Sequence, residues 1–97
     1  MEYKKGLVSI ITPCYNTAGY LHRLLESVVK QTYPDIEMFV IDDGSKDNPK
    51  EIVERYIPEF RQRGYQLTYI HQVNSGQSVA IKRGLEMISG EFFVWPC

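Results

Sequence analysis

The chain has 97 residues, 43% of them hydrophobic and 24% charged, a composition typical of a globular domain or a piece of one and unlike that of disordered or fibrous chains. The formal net charge is −1 and the longest basic run is Lys4-Lys5, so nothing supports a nucleic-acid partner. No apolar stretch is long enough for a signal peptide or a membrane span, which makes the cytoplasm the expected compartment.

The first half of the chain predicts two strands with a helix between them. Residues 7–12 (LVSIIT) are a nearly continuous β-branched run, typical of a strand covered on both faces. Residues 20–31 place their apolar side chains on one helical face, which consists of Leu21, Leu24, Leu25, Val28 and Val29. Residues 36–41 (IEMFVI) predict the second strand, which ends in the tight acidic loop DDGS.

A second helix is predicted to begin near Asn48. Asn48 offers an N-cap, Pro49 suits the first helical position, and Glu51 supplies an acid at the third. Pro58 is expected to kink or end this helix, because proline removes a backbone donor and its ring clashes with the preceding turn.

The last third of the chain predicts a strand at residues 67–71 (LTYIH), a helix at residues 77–89 closed by Gly90, and a strand at residues 91–95 (EFFVW). No repeat or linker is visible, so residues 1–97 are treated as one unit. The order βαβαβαβ predicts an α/β fold with a doubly wound, mainly parallel sheet. Ligands of such sheets bind beyond the carboxyl ends of the strands, where the winding direction reverses.

The pentapeptide TPCYN follows the first predicted strand. Pro13 fixes the backbone of the turn, and Tyr15 at a strand end is able to lie flat against a planar base. The alternative is a plain turn followed by a helix cap from Asn16 or Thr17.

Asp42 and Asp43 follow the second predicted strand. Adjacent carboxylates repel each other, and such a pair persists more easily when a cation or hydrogen-bond donors share it. A carboxylate accepts from uracil N3–H or from the guanine N1–H and N2–H₂ edge, whereas adenine presents an acceptor, so a uridine or guanosine nucleotide is favoured. The alternative is an Asp-Gly turn with Asp47 as a nearby helix cap.

The segment NSGQS leads into the third predicted helix. A glycine-containing loop at a helix N-terminus is able to present backbone N–H groups to an anion, and Lys82 or Arg83 would add positive charge for a diphosphate. The alternative is a capped helix with two solvent-facing cations and Gly84 kept small for close packing.

Five other residues that often carry chemistry have no assigned role. His22 and His71 lack partners at metal-ligand or triad spacing. Cys14 and Cys97 lack CxxC or zinc-ligand spacing and are expected to be free thiols, and Trp95 is expected in the core.

Five segments together resemble family 2 glycosyltransferases with the GT-A fold. They are VSIITPCYN, LLESVVKQTYPDIE, FVIDDGSKDN, NSGQSVAIKRGLE and GEFF. The resemblance covers nearly the whole chain and keeps the order and spacing. It implies that the chain is the N-terminal, nucleotide-sugar-binding part of one transferase domain. Pro13 and Tyr15 would line the nucleoside pocket, Asp43 with Asp42 would hold the base edge, and Asn16 would be mostly structural.

The resemblance also implies roles near and beyond the end of the chain. In the family, a strand like GEFF leads into a DxD motif that grips a divalent cation, Mg or Mn, and the diphosphate; here that motif is expected just after Cys97. No metal ligand is expected within the chain, and the catalytic base and acceptor pocket would follow later. Lys82 would contribute to phosphate binding, although Ala80-Ile81-Lys82 replaces the Ala-Arg-Asn run that the family often shows.

The resemblance implies single displacement with inversion, from a UDP-sugar rather than a GDP-sugar, to a glycan or lipid-linked acceptor in cell-surface polysaccharide or glycan synthesis. The whole protein would lie in the cytoplasm or at the inner face of the membrane, and these 97 residues alone would be inactive. Two alternatives stay open: a nucleotidyltransferase, which usually has a Gly-rich basic loop after its first strand, and a receiver-like signalling module, which needs a further acceptor Asp and a later strand-end Lys.

Overall fold

A computed structural model describes residues 4–94 of the chain, which form an α/β fold around one sheet. The elements in chain order are β1 (Lys4–Cys14), α1 (Ala18–Val29), β2 (Ile36–Asp43), α2 (Pro49–Gln62), β3 (Gln66–Gln72), α3 (Gln77–Leu85) and β4 (Gly90–Val94). All neighbouring strands are parallel, in the order β3-β2-β1-β4. The predicted fold class is confirmed, and the winding reverses beside β1, where β4 joins its free side.

Helices cover both faces of the sheet. The larger core lies under α1 and α2, and its fully buried members include Leu25, Met38, Val40, Val53 and Phe60. The smaller core lies under α3 and contains Ile11, Phe39, Ile41 and Ala80. Because β2 is buried along its whole length, its side chains alternate between these two cores instead of alternating between core and solvent.

Gly84 lets α3 approach β1 closely. A methyl group added at Gly84 would lie 2.5 Å from Cγ2 of Ile11, well inside van der Waals contact. This contact confirms the expectation that Gly84 is small for close packing.

Glu37 is a buried carboxylate within the apolar part of β2, residues 36–41, with 2% of its surface exposed. It accepts hydrogen bonds from Ser9 Oγ at 2.5 Å, from Ser89 N at 2.6 Å and from Ser89 Oγ at 3.0 Å. The Gly90 amide in turn donates to Ser9 Oγ at 3.0 Å. This network joins the beginning of β4 to β1 and β2, and the apolar pattern of the strand gave no sign of it.

The predicted end of the third helix is wrong, and of the two alternatives for Pro58, a kink or an end, the end is excluded. Pro58 lies inside α2, which continues to Gln62 because the next turn buries Phe60 completely. The third helix ends at Leu85 instead of residue 89, since Ser89 turns away to donate to Glu37. Gly90 consequently begins β4 and does not close α3.

The predicted start of α2 is confirmed with a different cap geometry. Asn48 is the N-cap residue and Pro49 the first helical residue, but the Asn48 backbone is left-handed, with φ 62°, and its side chain donates to Glu51 Oε2 at 2.8 Å. The expectations for Trp95 and Cys97 lie outside the described residues, and Cys14 is a free, buried thiol as predicted.

Candidate functional site

A cavity of about 250 Å³ opens at the carboxyl end of the sheet. It is lined by Thr12, Pro13, Cys14, Tyr15, Thr17, Tyr20, Leu21, Asp43 and Gln77. Tyr15 and Asp43 therefore face one cavity, as the pairing of β1 with β2 in parallel requires. Pro13, the third residue expected in a nucleoside pocket, is half-buried and also lines the cavity.

Asp43 is buried at the end of β2 and is held by three donors. Its Oδ1 accepts from Gln72 Nε2 at 2.9 Å and from Ser75 N at 2.7 Å, and its Oδ2 accepts from Gly76 N at 3.0 Å. These bonds, that of Gln72 first, hold the pKa of the Asp43 carboxyl below its ordinary value. An ionised carboxylate has about four acceptor positions, so one remains on Oδ2.

Asp42 points away from Asp43, because successive residues of a strand face opposite sides of the sheet. Its Oδ1 accepts from Ser45 N at 2.8 Å, and its Oδ2 accepts from the hydroxyl of Tyr69. Burial and this hydrogen bond raise the pKa of Tyr69. The expectation that the two carboxylates act as a pair on one cation or base edge is corrected: Asp42 is not among the residues that line the cavity, and it shapes the turn after β2.

The loops after β1 and β2 are locked together beside Tyr15. Asn16, which has a left-handed backbone with φ 54°, donates its amide to Ser45 Oγ at 3.0 Å. Lys46 N donates to Asn16 Oδ1 at 2.8 Å, and Ala18 N donates to Asp47 Oδ2 at 2.8 Å. The structural role expected of Asn16 matches this geometry, and Asp47 caps the amide of α1.

The loop before α3 does not present all its amides to a ligand. Ser75 N and Gly76 N donate to Asp43, so the anion they hold is a carboxylate of the chain itself. Lys82 is exposed in the last turn of α3 and is not among the residues that line the cavity. Its expected contact with phosphate stays a prediction.

The motifs TPCYN and NSGQS contain Thr12 and Gln77, but sequence analysis assigns neither residue a role in the site. Gln77 is the first residue of α3 and lines the cavity. Thr12 is 4% exposed, and its hydroxyl has no hydrogen-bond partner among the described residues. The available signals were the position of Gln77 directly after the NSG loop and a hydroxyl residue at the end of an apolar strand.

Residues 4–94 contain no group of three or more His, Cys, Asp or Glu side chains able to hold a metal ion. In the same part of the chain, no helix is long and apolar enough to cross a membrane.

The sequence matches known glycosyltransferases. The family model for glycosyl transferase family 2 matches residues 9–96. The chain is 38% identical over 89 residues to an uncharacterized glycosyltransferase of Rickettsia typhi, covering 92% of this chain and 26% of that protein. It is 39% identical over 85 residues to glycosyltransferase GlyA of Streptococcus pneumoniae, covering 88% of this chain and 12% of that protein. The chain thus spans about a quarter or less of the length of these two relatives.

Solved structures share the fold. Staphylococcus aureus TarS 1–349 in complex with UDP superposes with a TM-score of 0.80 at 33% identity, covering 93% of this chain and 26% of that chain. The mannosyltransferase PcManGT from Pyrobaculum calidifontis, in complex with GDP-Man and Mn²⁺, superposes with a TM-score of 0.82 at 25% identity, covering 97% of this chain and 30% of that chain.

Proposed function

The chain belongs to glycosyl transferase family 2, and on that premise we propose that it forms the nucleotide-binding part of an enzyme that transfers a sugar from a nucleoside diphosphate to an acceptor hydroxyl. The observation that carries the proposal is the cavity in which Tyr15 and the remaining acceptor position of Asp43 come together. Tyr15 is 49% exposed, so its ring is accessible for stacking on a base. Complexes with UDP, UDP-GlcNAc and GDP-Man among the structural neighbours support this class of donor.

The single acceptor position that remains on the Asp43 carboxylate favours uridine over guanosine. Uracil presents a single N–H between two carbonyls, which needs one acceptor position. Guanine presents N1–H beside N2–H₂ and pairs best with both oxygens of a carboxylate, but the Asp43 oxygens already accept from Gln72, Ser75 and Gly76. Adenine and cytosine would turn ring nitrogen acceptors toward the negative charge, which is unfavourable.

We propose that the complete enzyme works by single displacement with inversion at the anomeric carbon. The acceptor hydroxyl attacks, the bond to the nucleoside diphosphate breaks, and a base outside this chain takes the hydroxyl proton. A bound Mg²⁺ or Mn²⁺ would supply charge stabilisation to the leaving diphosphate. The residues described here would hold and orient the base, through Tyr15 and Asp43, with Pro13 forming part of the wall.

The remaining features of the whole protein are also proposals. They comprise a DxD cation site beyond Cys97, a glycan or lipid-linked acceptor, a role in cell-surface polysaccharide or glycan synthesis, and a place in the cytoplasm or at the inner face of the membrane. Lys82 stays a candidate for a diphosphate contact from the exposed last turn of α3.

Titration with UDP, GDP and ADP, followed by NMR chemical shifts, tests the nucleotide site. We expect UDP to bind with a dissociation constant on the order of millimolar, GDP more weakly and ADP more weakly still. Asp43→Asn should weaken UDP binding by about tenfold or more, since a hydrogen bond to a charged group is worth roughly 1.5 to 3 kcal/mol. Glu59→Gln, an exposed change in α2, is the control. Equal binding of the three nucleotides, or no effect of Asp43→Asn, would refute the proposed function.

A further inference from the structure

We infer that Gln77 determines specificity for the nucleobase by donating from its carboxamide to one of the two uracil carbonyls that flank the N3–H accepted by Asp43. This inference rests on the proposed function. Gln77 and Asp43 line the same cavity, together with Tyr15, but they come from different elements, α3 and β2. A base stacked on Tyr15 therefore has a carboxylate and a carboxamide available to its edge.

The position of Gln77 relative to Asp43 is fixed by the backbone. Asp43 Oδ1 accepts from Ser75 N at 2.7 Å and Asp43 Oδ2 accepts from Gly76 N at 3.0 Å. Gln77 follows Gly76 directly and begins α3. Gly76 has φ 101°, a conformation that favours glycine, and it turns the chain from the Asp43 contact into the helix. The backbone that begins α3 is thus tied to the Asp43 carboxylate, so the Gln77 side chain starts beside the group that would accept the uracil N3–H.

The carboxamide of Gln77 is available to a ligand. It has no hydrogen-bond partner within residues 4–94, and the residue is exposed. Gln72 is the contrasting case in the same region, because its Nε2 donates to Asp43 Oδ1 at 2.9 Å and the residue is buried. The Gln72 amide therefore positions the Asp43 carboxylate, whereas the Gln77 amide is free to donate to the ligand that Asp43 binds.

The chemistry of the two side chains is complementary to the uracil edge. Asp43 accepts only, whereas the NH₂ group of Gln77 donates, and uracil alternates carbonyl, N–H and carbonyl along this edge. The Gln77 contact adds discrimination to the Asp43 contact. A base that lacks the matching carbonyl would leave the Gln77 amide unpaired, and an unpaired polar group in a binding site lowers affinity. Discrimination among pyrimidines therefore depends on residue 77 as well as on Asp43.

The test measures binding of UDP, 2-thio-UDP and 4-thio-UDP to the wild-type protein and to Gln77→Leu. Sulfur is a poorer acceptor than a carbonyl oxygen, so one thio analogue should bind the wild type about three- to tenfold more weakly than UDP, the range of one neutral hydrogen bond. Gln77→Leu should weaken UDP binding by a similar factor and abolish the difference between that analogue and UDP, as a double-mutant cycle requires.

Gln62→Leu, the same substitution at an exposed position at the end of α2, is the matched control. It should leave the affinity for UDP, and the difference in affinity between that analogue and UDP, as in the wild type. If the analogue differences persist unchanged in Gln77→Leu, or if UDP binding is unaffected by it, the inference is wrong. Asp43→Asn separates this failure from that of the proposed function. A protein in which Asp43→Asn weakens UDP binding but Gln77→Leu does not keeps its nucleotide site and loses only the role of Gln77, whereas insensitivity to both variants refutes the site itself.

Discussion

The backbone amide of Lys46 donates to the side-chain oxygen of Asn16 at 2.8 Å, although the two residues follow different strands. The Asn16 amide returns a hydrogen bond to Ser45 Oγ at 3.0 Å, so each loop donates to the other. Tyr15, the aromatic wall of the cavity, directly precedes Asn16. Its placement therefore depends on the loop after β2 as well as on its own strand.

Ser45→Ala should loosen this connection between the loops. The substitution removes the acceptor for Asn16 N and the donor to the Cys14 carbonyl, which lies 3.3 Å away. We expect the free energy of unfolding to fall by about 1 kcal/mol and UDP affinity to fall severalfold. Urea denaturation and UDP titration measure the two effects, with Ser27→Ala on the exposed surface of α1 as control. Unchanged UDP affinity would mean that Tyr15 does not need the second loop.

The depressed pKa of Asp43 makes stability depend on pH in a defined direction. Its folded-state pKa lies below the unfolded value of about 4, so its contribution is complete above that value and is lost as the pH falls through the folded pKa. Asp43→Asn should lower stability at neutral pH and lose less stability than wild type between about pH 5 and pH 2. Unfolding free energies from urea titrations at several pH values check this, and parallel curves would contradict it.

Thr12→Val should stabilise the nucleotide-free protein. The Thr12 hydroxyl is buried and has no partner within the described residues, a situation that costs roughly 1 to 3 kcal/mol. Valine keeps the shape of the side chain and removes the hydroxyl. We expect a higher Tm in thermal unfolding, whereas Thr12→Ser, which keeps the hydroxyl and loses the methyl group, should lower it. A lower Tm for Thr12→Val would show that the hydroxyl finds a partner in solution.

Gly84→Ala and Gly19→Ala should have opposite effects on stability. Alanine is the better helix former by about 1 kcal/mol, and at Gly19 nothing lies within 4 Å of the added methyl group. At Gly84 the methyl group would lie 2.5 Å from Ile11 Cγ2, and such overpacking costs typically 1 to 3 kcal/mol. Thermal unfolding of both variants should show Gly19→Ala above and Gly84→Ala below the wild-type Tm. Equal shifts would mean that α3 moves away from β1 without cost.

The sequence was sufficient for the features that follow from strand order. Alternating strands and helices predict parallel pairing, and parallel pairing brings the carboxyl end of β1 beside the carboxyl end of β2. Tyr15 and Asp43 consequently face one cavity, as predicted. The expected pairing of Asp42 with Asp43 is the exception, because side chains alternate along a strand and the two adjacent carboxylates therefore point to opposite faces of the sheet.

Contacts between distant polar side chains were beyond the sequence. The bond from Asn16 to Ser45 spans 29 residues and depends on a left-handed backbone that composition does not specify. The end of α3 was missed for the same reason, because Ser89 leaves the helical path to reach Glu37, 52 positions away. Helical periodicity indicates which residues face the core. It does not indicate that Ser89 donates a hydrogen bond to the buried Glu37.

The network around Glu37 also orders the events of folding. Ser9 belongs to β1 and is available early, but Ser89 and Gly90 come from the far end of the described chain, and Gly90 follows Ser9 by 81 positions. Closing a loop of that length is slow relative to forming local contacts. We therefore expect β1, β2 and β3 to assemble first, with β4 docking last. Until β4 docks, Glu37 lacks its Ser89 donors, so the hydrogen bonding of this one buried side chain is complete only when the sheet is complete.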